Sequence, residues 1–343
     1  MKNERYYLSI MSPEEKQVYK IIYYGLKNRE YTIIVPVNVV ASVVQEVYLR
    51  VLFDGPLFYY VNQTVIRMQG IPGNWVLMPE YLYTANEIKR IDSELRKVVA
   101  VVKSKADQFI DNPFRLEKCL HDSVVKSVAY DYDSLMKNDC FNAHSIIGAF
   151  LDRKAVCEGI AKAFKLLCNE YAMKCIVVVG KADPKCIFGD DTYHAWNIVK
   201  IGTDSYHVDA TWDNFYHNGL SHISYDYFNV PTKDIYRDHH PIVQIPECNS
   251  SHLNYYECTK SYVSSMDDLI SIVISKFTES SISFRIKQQS DEFHSEDEVK
   301  ARTFIALLIA MKHYGYDRRF AFLYNDRMHI GKVIFEVPQK SFY

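Results

Sequence analysis

The sequence lacks the features that mark membrane-spanning, secreted and nucleic-acid-binding proteins. No apolar stretch reaches the ~18 uninterrupted residues that a membrane-spanning helix needs, and charges interrupt the amino terminus where a secretory signal is apolar. The 40 Lys and Arg residues nearly balance the 42 Asp and Glu residues, for a net charge of -2. We therefore expect no membrane insertion, no nucleic-acid partner and a cytoplasmic location, or a cell-surface or secreted one if a signal segment has been removed.

Cysteine is also sparse, and its spacing lacks the close pairs that are typical of structural zinc sites. The chain has 8 cysteines in 343 residues, and no two of them form a C-x-x-C pair. This pattern disfavours a disulfide-built scaffold and a close-paired structural zinc site. We expect neither a metal ion nor an organic cofactor.

The chain is long and apolar enough, at 48% hydrophobic residues, to form two or three domains with buried cores. Changes in pattern predict an N-terminal accessory α/β domain (1–113), a catalytic domain (114–257) and a small C-terminal α/β domain (258–343). The predicted fold class is α+β. Helices are predicted at about 12–26, 38–53, 84–107, 266–276 and 296–314, and strands at about 57–68, 75–83, 194–201, 206–211, 281–287, 320–324 and 329–337.

Three segments of the predicted catalytic domain supply a thiol, an imidazole and a carboxylate in that order, at Cys157, His194 and Asp209. Cys157 precedes apolar residues at helical spacing, so we expect it in the first turn of a buried helix. There the unpaired N–H groups and the helix dipole favour a thiolate and can stabilise an oxyanion.

His194 and Asp209 fall on two consecutive predicted strands. A short connection would place Lys200 opposite Ser205 and, further along, His194 opposite Thr211. Because side chains alternate with a period of two, Asp209 then shares a face with His194, whereas a slip of one residue would separate them. Asp209 can thus orient the imidazole and stabilise its charged form.

Each of these residues also has an ordinary structural interpretation. A cysteine near a helix start is usually a small buried apolar group, a histidine beside a tryptophan is usually packed, and an aspartate near a turn usually caps it. Their order and their predicted shared geometry favour catalysis.

The motifs themselves resemble those of the transglutaminase-like superfamily of papain-like thiol enzymes, in its bacterial branch. The resemblance extends from about residue 116 to 240 and rests on Val156-Cys157-Glu158-Gly159, His194-Ala195-Trp196-Asn197 and Tyr206-His207-Val208-Asp209. It implies a core in which the helix carrying the nucleophile packs on an antiparallel sheet. It also implies that Cys157 is the nucleophile, His194 the general base and Asp209 the orienting acid.

Further candidates surround these three residues. Tyr130 is an oxyanion-stabilising candidate, and Trp196 and Trp212 are candidates for lining a substrate groove, although core packing explains both equally well. Asn197 alternates to the face opposite His194, which argues against an orienting role.

The expected function is a cysteine-dependent acyl transfer. The Cys157 thiolate would attack a peptide or glutamine-type carboxamide of a protein or peptide substrate and form a thioester. Water as the acceptor would make the protein a protease or amidase, and an amine would make it a transglutaminase. The alternative is a catalytically idle module that binds a peptide or glycan polymer, which the 27 tyrosines would suit. The sequence leaves the oligomeric state open.

Overall fold

A computed structural model describes residues 5–36, 39–63, 66–71, 73–135, 140–183, 193–217, 220–288 and 290–336. The chain divides into two compact units, the first being Met1–Ile235 with His239–Asn249 and the second Tyr236–Asp238 with Ser250–Tyr343. The boundary predicted near Pro113 lies inside the first unit, where the helices on its two sides contact each other. The division into three domains stays a prediction. Within the described ranges, no helix combines the length and apolarity needed to cross a membrane.

The first unit contains most of the helices. They are α1 (Tyr6–Ile10), α2 (Pro13–Asn28), α3 (Ala41–Asp54), α4 (Ala85–Ala106), α5 (Pro113–Val125), α6 (Tyr132–Leu135), α7 (Cys157–Glu170) and α8 (Thr232–Ile235). Its strands are β1 (Ile33–Val35), β2 (Arg67–Ile71), β3 (Asn74–Met78), β4 (Ala129–Tyr130), β5 (Lys154–Ala155), β6 (Lys174–Ala182), β7 (Tyr193–Ile201), β8 (Asp204–Val208), β9 (Asn214–His217), β10 (Leu220–Ile223), β11 (Phe228–Val230) and β12 (His239–Pro241).

A five-stranded antiparallel sheet of order β11-β8-β7-β6-β12 forms the centre of this unit. Helix α7 packs on its two middle long strands, β6 and β7. The side-chain amide of Asn197 donates to the carbonyl of Ala161 at 3.0 Å and to that of Ile176 at 3.1 Å, which ties the helix to the sheet. Asn197 therefore has a structural task on the face opposite His194, as the alternation predicts.

The register predicted between β7 and β8 is confirmed where the two strands pair. Lys200 lies opposite Ser205, and the ladder continues to Asn197 and Val208. The predicted strand 206–211 is wrong at its end, because β8 stops at Val208 and His194 has no partner at Thr211 in this ladder. Asp209 ends the strand itself: its Oδ1 accepts the N–H of Thr211 at 2.8 Å and starts a turn.

The N-terminal part of the first unit departs from the predicted hairpin. Of the segment predicted as a strand at 57–68, residues 57–63 form turns with an isolated bridge from Val61 to Tyr81, and residues 64 and 65 lie outside the described residues. Strand β2 begins only at Arg67, in a three-stranded sheet of order β1-β3-β2. The amide of Gln63 donates to the carbonyls of Phe58 at 2.8 Å and Val61 at 2.7 Å, which folds the segment back on itself. The capping box predicted at Thr84 and Glu87 is confirmed at the start of α4.

The second unit has its own core between helices and a sheet. Its elements are α9 (Tyr255–Cys258), α10 (Met266–Lys276), α11 (Glu296–Tyr314), β13 (Tyr262–Val263), β14 (Ser281–Ile286), β15 (Phe320–Asn325) and β16 (Ile330–Phe335). The strand order is β13-β14-β16-β15, with β13 parallel to β14. Apolar side chains of α10, α11 and the sheet form the core, as the predicted helices at 266–276 and 296–314 require.

A test of the packing around α7 concerns Gly159. A Cβ at this position would lie 2.3 Å from the carbonyl oxygen of Ala143 and 2.9 Å from that of Ser145, so Gly159 serves close packing of backbone. We expect Gly159→Ala to lower the free energy of unfolding by at least about 2 kcal/mol, although Gly→Ala in an open helix stabilises by about 1 kcal/mol. Urea unfolding followed by tryptophan fluorescence measures it, since Trp75, Trp196 and Trp212 all belong to the first unit.

Gly202→Ala is the matched control. Gly202 has a φ of +61° and open space around its Cα, so the substitution costs only backbone strain of about 1 kcal/mol. A Gly159→Ala protein as stable as the native one would contradict the packing described for α7.

Candidate active site

Cys157 is the first residue of α7, after Val156, which has an extended backbone with φ -86° and ψ 174°. The helix is buried along nearly its whole length, and the thiol-bearing residue is 9% exposed. The first N–H groups of a helix have no partner within it. The sulfur therefore lies at the positive end of the helix dipole, as predicted, in contact with the apolar side chains of Ala161, Val177 and Ala195.

A polar network fixes the first turn of α7 from outside. The carboxylate of Glu158 contacts Nδ1 of His144 at 3.0 Å and the ammonium group of Lys162. Lys162 Nζ also donates to Oε1 of Gln63 at 2.7 Å, so the N-terminal part of the unit holds the same helix end. These contacts orient the helix start without using the Cys157 thiol.

His194 lies on the buried part of β7 and contacts Asp209 directly. Its Nε2 lies 2.7 Å from Asp209 Oδ2, within the 2.6–3.2 Å range expected for an orienting acid. The other ring nitrogen, Nδ1, is buried, and no conventional hydrogen-bond partner is found for it within the described part of the chain. The charge of Asp209 and, after it, the nearby Cys157 thiol raise the pKa of His194 against the effect of burial.

Asp209 accepts four hydrogen bonds. Its Oδ1 takes the backbone N–H groups of Thr211 at 2.8 Å and Trp212 at 3.2 Å. Its Oδ2 takes Nε2 of His194 and, at 3.0 Å, Nε2 of His239. Asp209 thus caps a turn with one oxygen and orients the imidazole with the other, so the ordinary and the catalytic interpretations both hold.

His239 is the residue that sequence reasoning missed. It lies on β12, which pairs with β6 through His239 and Ala182, and its side chain is completely buried. Its ring also packs against Trp212, with centroids 4.4 Å apart. His239 is 30 residues from Asp209 in the sequence, so no local spacing predicts their contact. The pairing of β12 with β6 places His239 beside Asp209. The only local signal is its position in a short extended segment before Pro241.

The carboxylate and the imidazole hold each other in their charged forms. Burial disfavours an imidazolium, but the charge of Asp209 outweighs it and raises the pKa of His194 to about 10. Burial also opposes the charge on Asp209, but His194 and His239 hold the pKa of that carboxyl well below its usual range. The opposite holds for His207, where burial and the neighbouring His239 lower the pKa to about 3.

Tyr130 lies beside the nucleophile. It ends β4, which pairs with β5 through Tyr130 and Ala155, two residues before Cys157. Burial and the Cys157 thiol both raise the pKa of the Tyr130 phenol, so the group keeps its proton and can donate it. This position suits the predicted oxyanion role.

The two tryptophan candidates have different environments. Trp196 is 1% exposed, packs in an apolar cluster with Ile198 and donates its N–H to His207 Nδ1 at 3.1 Å. The prediction that Trp196 lines a groove is therefore wrong, because core side chains cover almost all of its surface. Trp212 is half-buried and its ring lies 5.5 Å from that of His194, so it stays a candidate.

Asp213 lies four residues after Asp209 in the sequence and is the alternative carboxylate, but its side chain has other partners. Its Oδ2 lies 3.2 Å from Nε2 of His121, and its Oδ1 accepts the N–H of Tyr227 at 3.0 Å. It has no contact with His194 in the structure. Asp213 therefore serves as a matched control for Asp209.

Among the described residues, His194, Asp209 and His239 form a group whose donor atoms lie within 4.8 Å of one another. Such a group has the composition of a metal site. Here, however, both ring nitrogens donate to the same carboxylate oxygen, at 2.7 and 3.0 Å. Each ring can therefore donate a proton to Asp209, and the proposed mechanism uses the three side chains in that form.

Comparison with known proteins agrees with the motifs. Residues 101–215 match the family model of the transglutaminase-like superfamily, and this range includes Cys157, His194 and Asp209. The chain carries a transglutaminase-like domain. The predicted fold class, α+β with a transglutaminase-like core, is confirmed. No curated protein sequence matches the chain.

Two solved structures are similar to parts of the chain. A structure described as a TGase is 15% identical, with a TM-score of 0.32, and the match covers 47% of this chain and 47% of that one. A candidate cysteine protease from Cytophaga hutchinsonii is 14% identical, with a TM-score of 0.27, covering 52% of this chain and 66% of that one. The chain thus spans less than two thirds of the length of either structure.

Two of the buried histidines, His194 and His207, give a spectroscopic test. In ¹⁵N-labelled protein, we expect the His194 ring to stay protonated through neutral pH and to lose its proton near pH 10. The His207 ring should stay neutral down to about pH 3. Because the folded pKa of His194 lies above its unfolded value of 6.5, the stability that protonation of His194 contributes is complete below pH 6.5 and is lost as pH rises through about 10. The contribution of Asp209, whose pKa is lowered from 3.8, is instead lost as pH falls below that value.

Asp209→Asn should move the titration of His194 toward the ordinary range, and Asp213→Asn should leave it in place. A native His194 ring that titrates near 6.5, the ordinary value, would contradict the electrostatics described above.

Proposed function

We propose that the protein is a cysteine-dependent acyl-transfer enzyme that attacks a peptide or glutamine-type carboxamide through a thioester. The observation that carries this proposal is the buried His194 ring, whose Nε2 lies 2.7 Å from the Asp209 carboxylate and whose pKa the nearby Cys157 thiol also raises. A thiol, a base and an orienting acid in this relation are the requirements for an activated sulfur nucleophile.

The reaction starts from an ion pair. The Cys157 proton already resides on His194, whose ring is protonated at neutral pH, and the sulfur attacks the carbonyl carbon of the substrate as a thiolate. The resulting imidazolium is the form that Asp209 favours, since the carboxylate raises the pKa of the ring. The positive end of α7 favours the thiolate at the same time.

The negative charge then develops on the carbonyl oxygen. The phenol of Tyr130, kept protonated beside the sulfur, is one donor for this oxyanion. The free N–H groups of the first turn of α7 are further donors. Neither donor has to change its protonation state during the reaction.

Collapse of the intermediate releases ammonia or an amine, which takes the proton from His194 and leaves a thioester on Cys157. The acceptor then attacks the thioester carbonyl while His194 removes its proton, and the C–S bond breaks with Cys157 leaving as the thiolate. Water gives hydrolysis, and a lysine amine gives a cross-link. The half-buried Trp212 beside His194 is our candidate for a group that contacts the acyl chain.

The most informative assay offers both acceptors together. We would incubate the protein with casein and a fluorescent amine and follow amine incorporation and cleavage in the same samples. Incorporation supports a transglutaminase, and cleavage or ammonia release supports a protease or amidase. Neither product, with a Cys157→Ala control that behaves identically, would favour the idle binding module. Cys258→Ala, at an exposed cysteine, is the matched control and should keep full activity.

The nucleophile and the base should act as one unit. Cys157→Ala should abolish the covalent chemistry with little change in fold, and His194→Ala should lose nearly as much activity. The double variant should be barely slower than either single variant, because neither residue has a function without the other. Rate constants for the three variants test this, and losses that multiply would show that the residues act independently.

The orienting acid should matter less than the nucleophile but still strongly. Asp209→Asn should lower the rate on the order of 10²–10⁴, because the amide favours the wrong tautomer and cannot stabilise the imidazolium. Asp213→Asn is the control, since Asp213 contacts His121 and not His194. A native rate in Asp209→Asn, measured per folded molecule, would remove Asp209 from the triad.

His239 should act as a positioning residue through Asp209. His239→Leu removes one donor from a buried carboxylate, so we expect a fall of about 10- to 100-fold in kcat with KM little changed. His239→Gln, which keeps an N–H donor, should restore part of the loss. His207→Leu is the buried-histidine control, because His207 bonds to Trp196 and Thr232. An unchanged kcat in His239→Leu would contradict the role.

A further inference from the structure

A large open cavity lies between α4 and α5, apart from the triad. Its volume is about 1100 Å³. Its apolar lining comes from α4 (Val98, Val101, Val102), from Phe109 in the turn after α4 and from Phe150 before β5, whereas α5 contributes mainly polar and charged side chains. Val101 is 57% exposed, which leaves an apolar surface facing solvent. A groove of this kind takes a ligand that has an apolar part.

The rim of the groove is strongly basic. Six Lys and Arg side chains border it, against the single carboxylate of Asp122. Lys118 pairs with Asp122 at 2.8 Å and Lys97 with Glu94 at 2.7 Å. The other four have no carboxylate partner within the described ranges; they are Lys105, Arg115, Lys126 and Arg153. The overall charge of the chain is -2, so this local excess is a feature of the groove and not of the composition.

The four unpaired charges fall at two ends of the groove. Lys105 and Arg115 flank the short connection between α4 and α5, and so lie at one end. Lys126 and Arg153 lie at the other end. Lys126 follows the end of α5, and three residues later the backbone N–H of Ala129 donates to the carbonyl of Arg153 at 2.9 Å. Arg115 and Lys126 are eleven residues apart along the helix, a distance of about 16 Å.

This spacing selects one class of ligand. An amphiphile with a single anionic head would pair with one end only. An extended peptide advances about 3.3 Å per residue, so acidic residues about five positions apart, with apolar residues between them, match both ends and the floor. We infer that the groove binds an acidic segment of the protein substrate, an inference that rests on the function proposed above.

The groove also lies close to the nucleophile. Arg153 precedes Cys157 by four residues, so their Cα atoms are at most about 14 Å apart, and Lys126 stands in the same relation to Tyr130. A peptide held at this end brings its flanking residues within reach of the thiol. The groove thus selects proteins whose reactive carboxamide lies near an acidic, partly apolar segment.

Binding is tested without chemistry, in Cys157→Ala protein. The probe is a fluorescent peptide with glutamates on both sides of a Phe-Val-Phe-Val core, which places them five positions apart, and its partner probe has lysines in their place. We expect saturable binding of the acidic peptide that weakens with salt. Lys105→Glu combined with Lys126→Glu should raise its Kd at least about tenfold, and Val101→Ser should weaken it as well.

The control variant reverses the same charges elsewhere. Lys89→Glu with Arg96→Glu changes two exposed residues of α4 that do not line the groove, and it should bind the acidic peptide like the parent protein. Equal binding of the basic peptide, or equal losses in the two charge-reversal variants, would overturn the inference. So would an unchanged Kd in Lys105→Glu/Lys126→Glu.

An activity measurement separates this inference from the proposed function. With Cys157 present, Lys105→Glu/Lys126→Glu should lower kcat/KM for an acidic protein substrate about tenfold and leave that for a small uncharged glutamine substrate unchanged. If the variant changes activity on neither substrate, the inference about the groove is wrong and the proposed function stands. Peptide binding in a protein inactive toward every substrate overturns the proposed function while the groove stands.

Discussion

The buried carboxylate of Asp209 is the constraint on which the rest of the site depends. A charge removed from water is costly unless hydrogen bonds replace its hydration. Asp209 has four donors: two backbone N–H groups of the turn that follows it and the rings of His194 and His239. The end of β8, the turn after it and the edge strand β12 are therefore all required to keep one group ionised. In return, the charge of Asp209 orients His194 and favours its imidazolium form.

Helix α7 supplies the second requirement, a thiol at a defined place. The helix is buried on nearly all sides, and it contains two buried lysines. Lys162 donates to the side chain of Gln63 and Lys165 to the carbonyl of Cys175, so neither ammonium group is left without an acceptor. Asn197 ties the middle of the helix to the sheet, and Gly159 lets the preceding backbone approach its first turn. The sulfur is thus held by rigid elements, as the short distances needed for proton exchange demand.

Local sequence patterns predicted the parts of this site that depend on periodicity. The alternation of β7 put His194 and Asn197 on opposite faces, and the apolar spacing after Cys157 marked α7. The same patterns failed where a side chain competes with the backbone. Asp209 ended β8 early by capping a turn, and Gln63 turned a predicted strand back on itself. His239 was out of reach, because its contact with Asp209 arises from the pairing of two strands far apart in the chain.

In the proposed mechanism Cys157 is an activated thiol. The rates at which individual cysteines are alkylated test this most directly. The native protein would be treated with limiting iodoacetamide near neutral pH, and each cysteine-containing peptide would be quantified by mass spectrometry over time. Cys157 is 9% exposed whereas Cys258 is exposed, so exposure alone would rank Cys258 ahead of the other cysteines that the structure describes. We predict that Cys157 reacts before them, and that His194→Ala removes this advantage. Alkylation that follows exposure, with Cys258 ahead of Cys157 in the native protein, would contradict it.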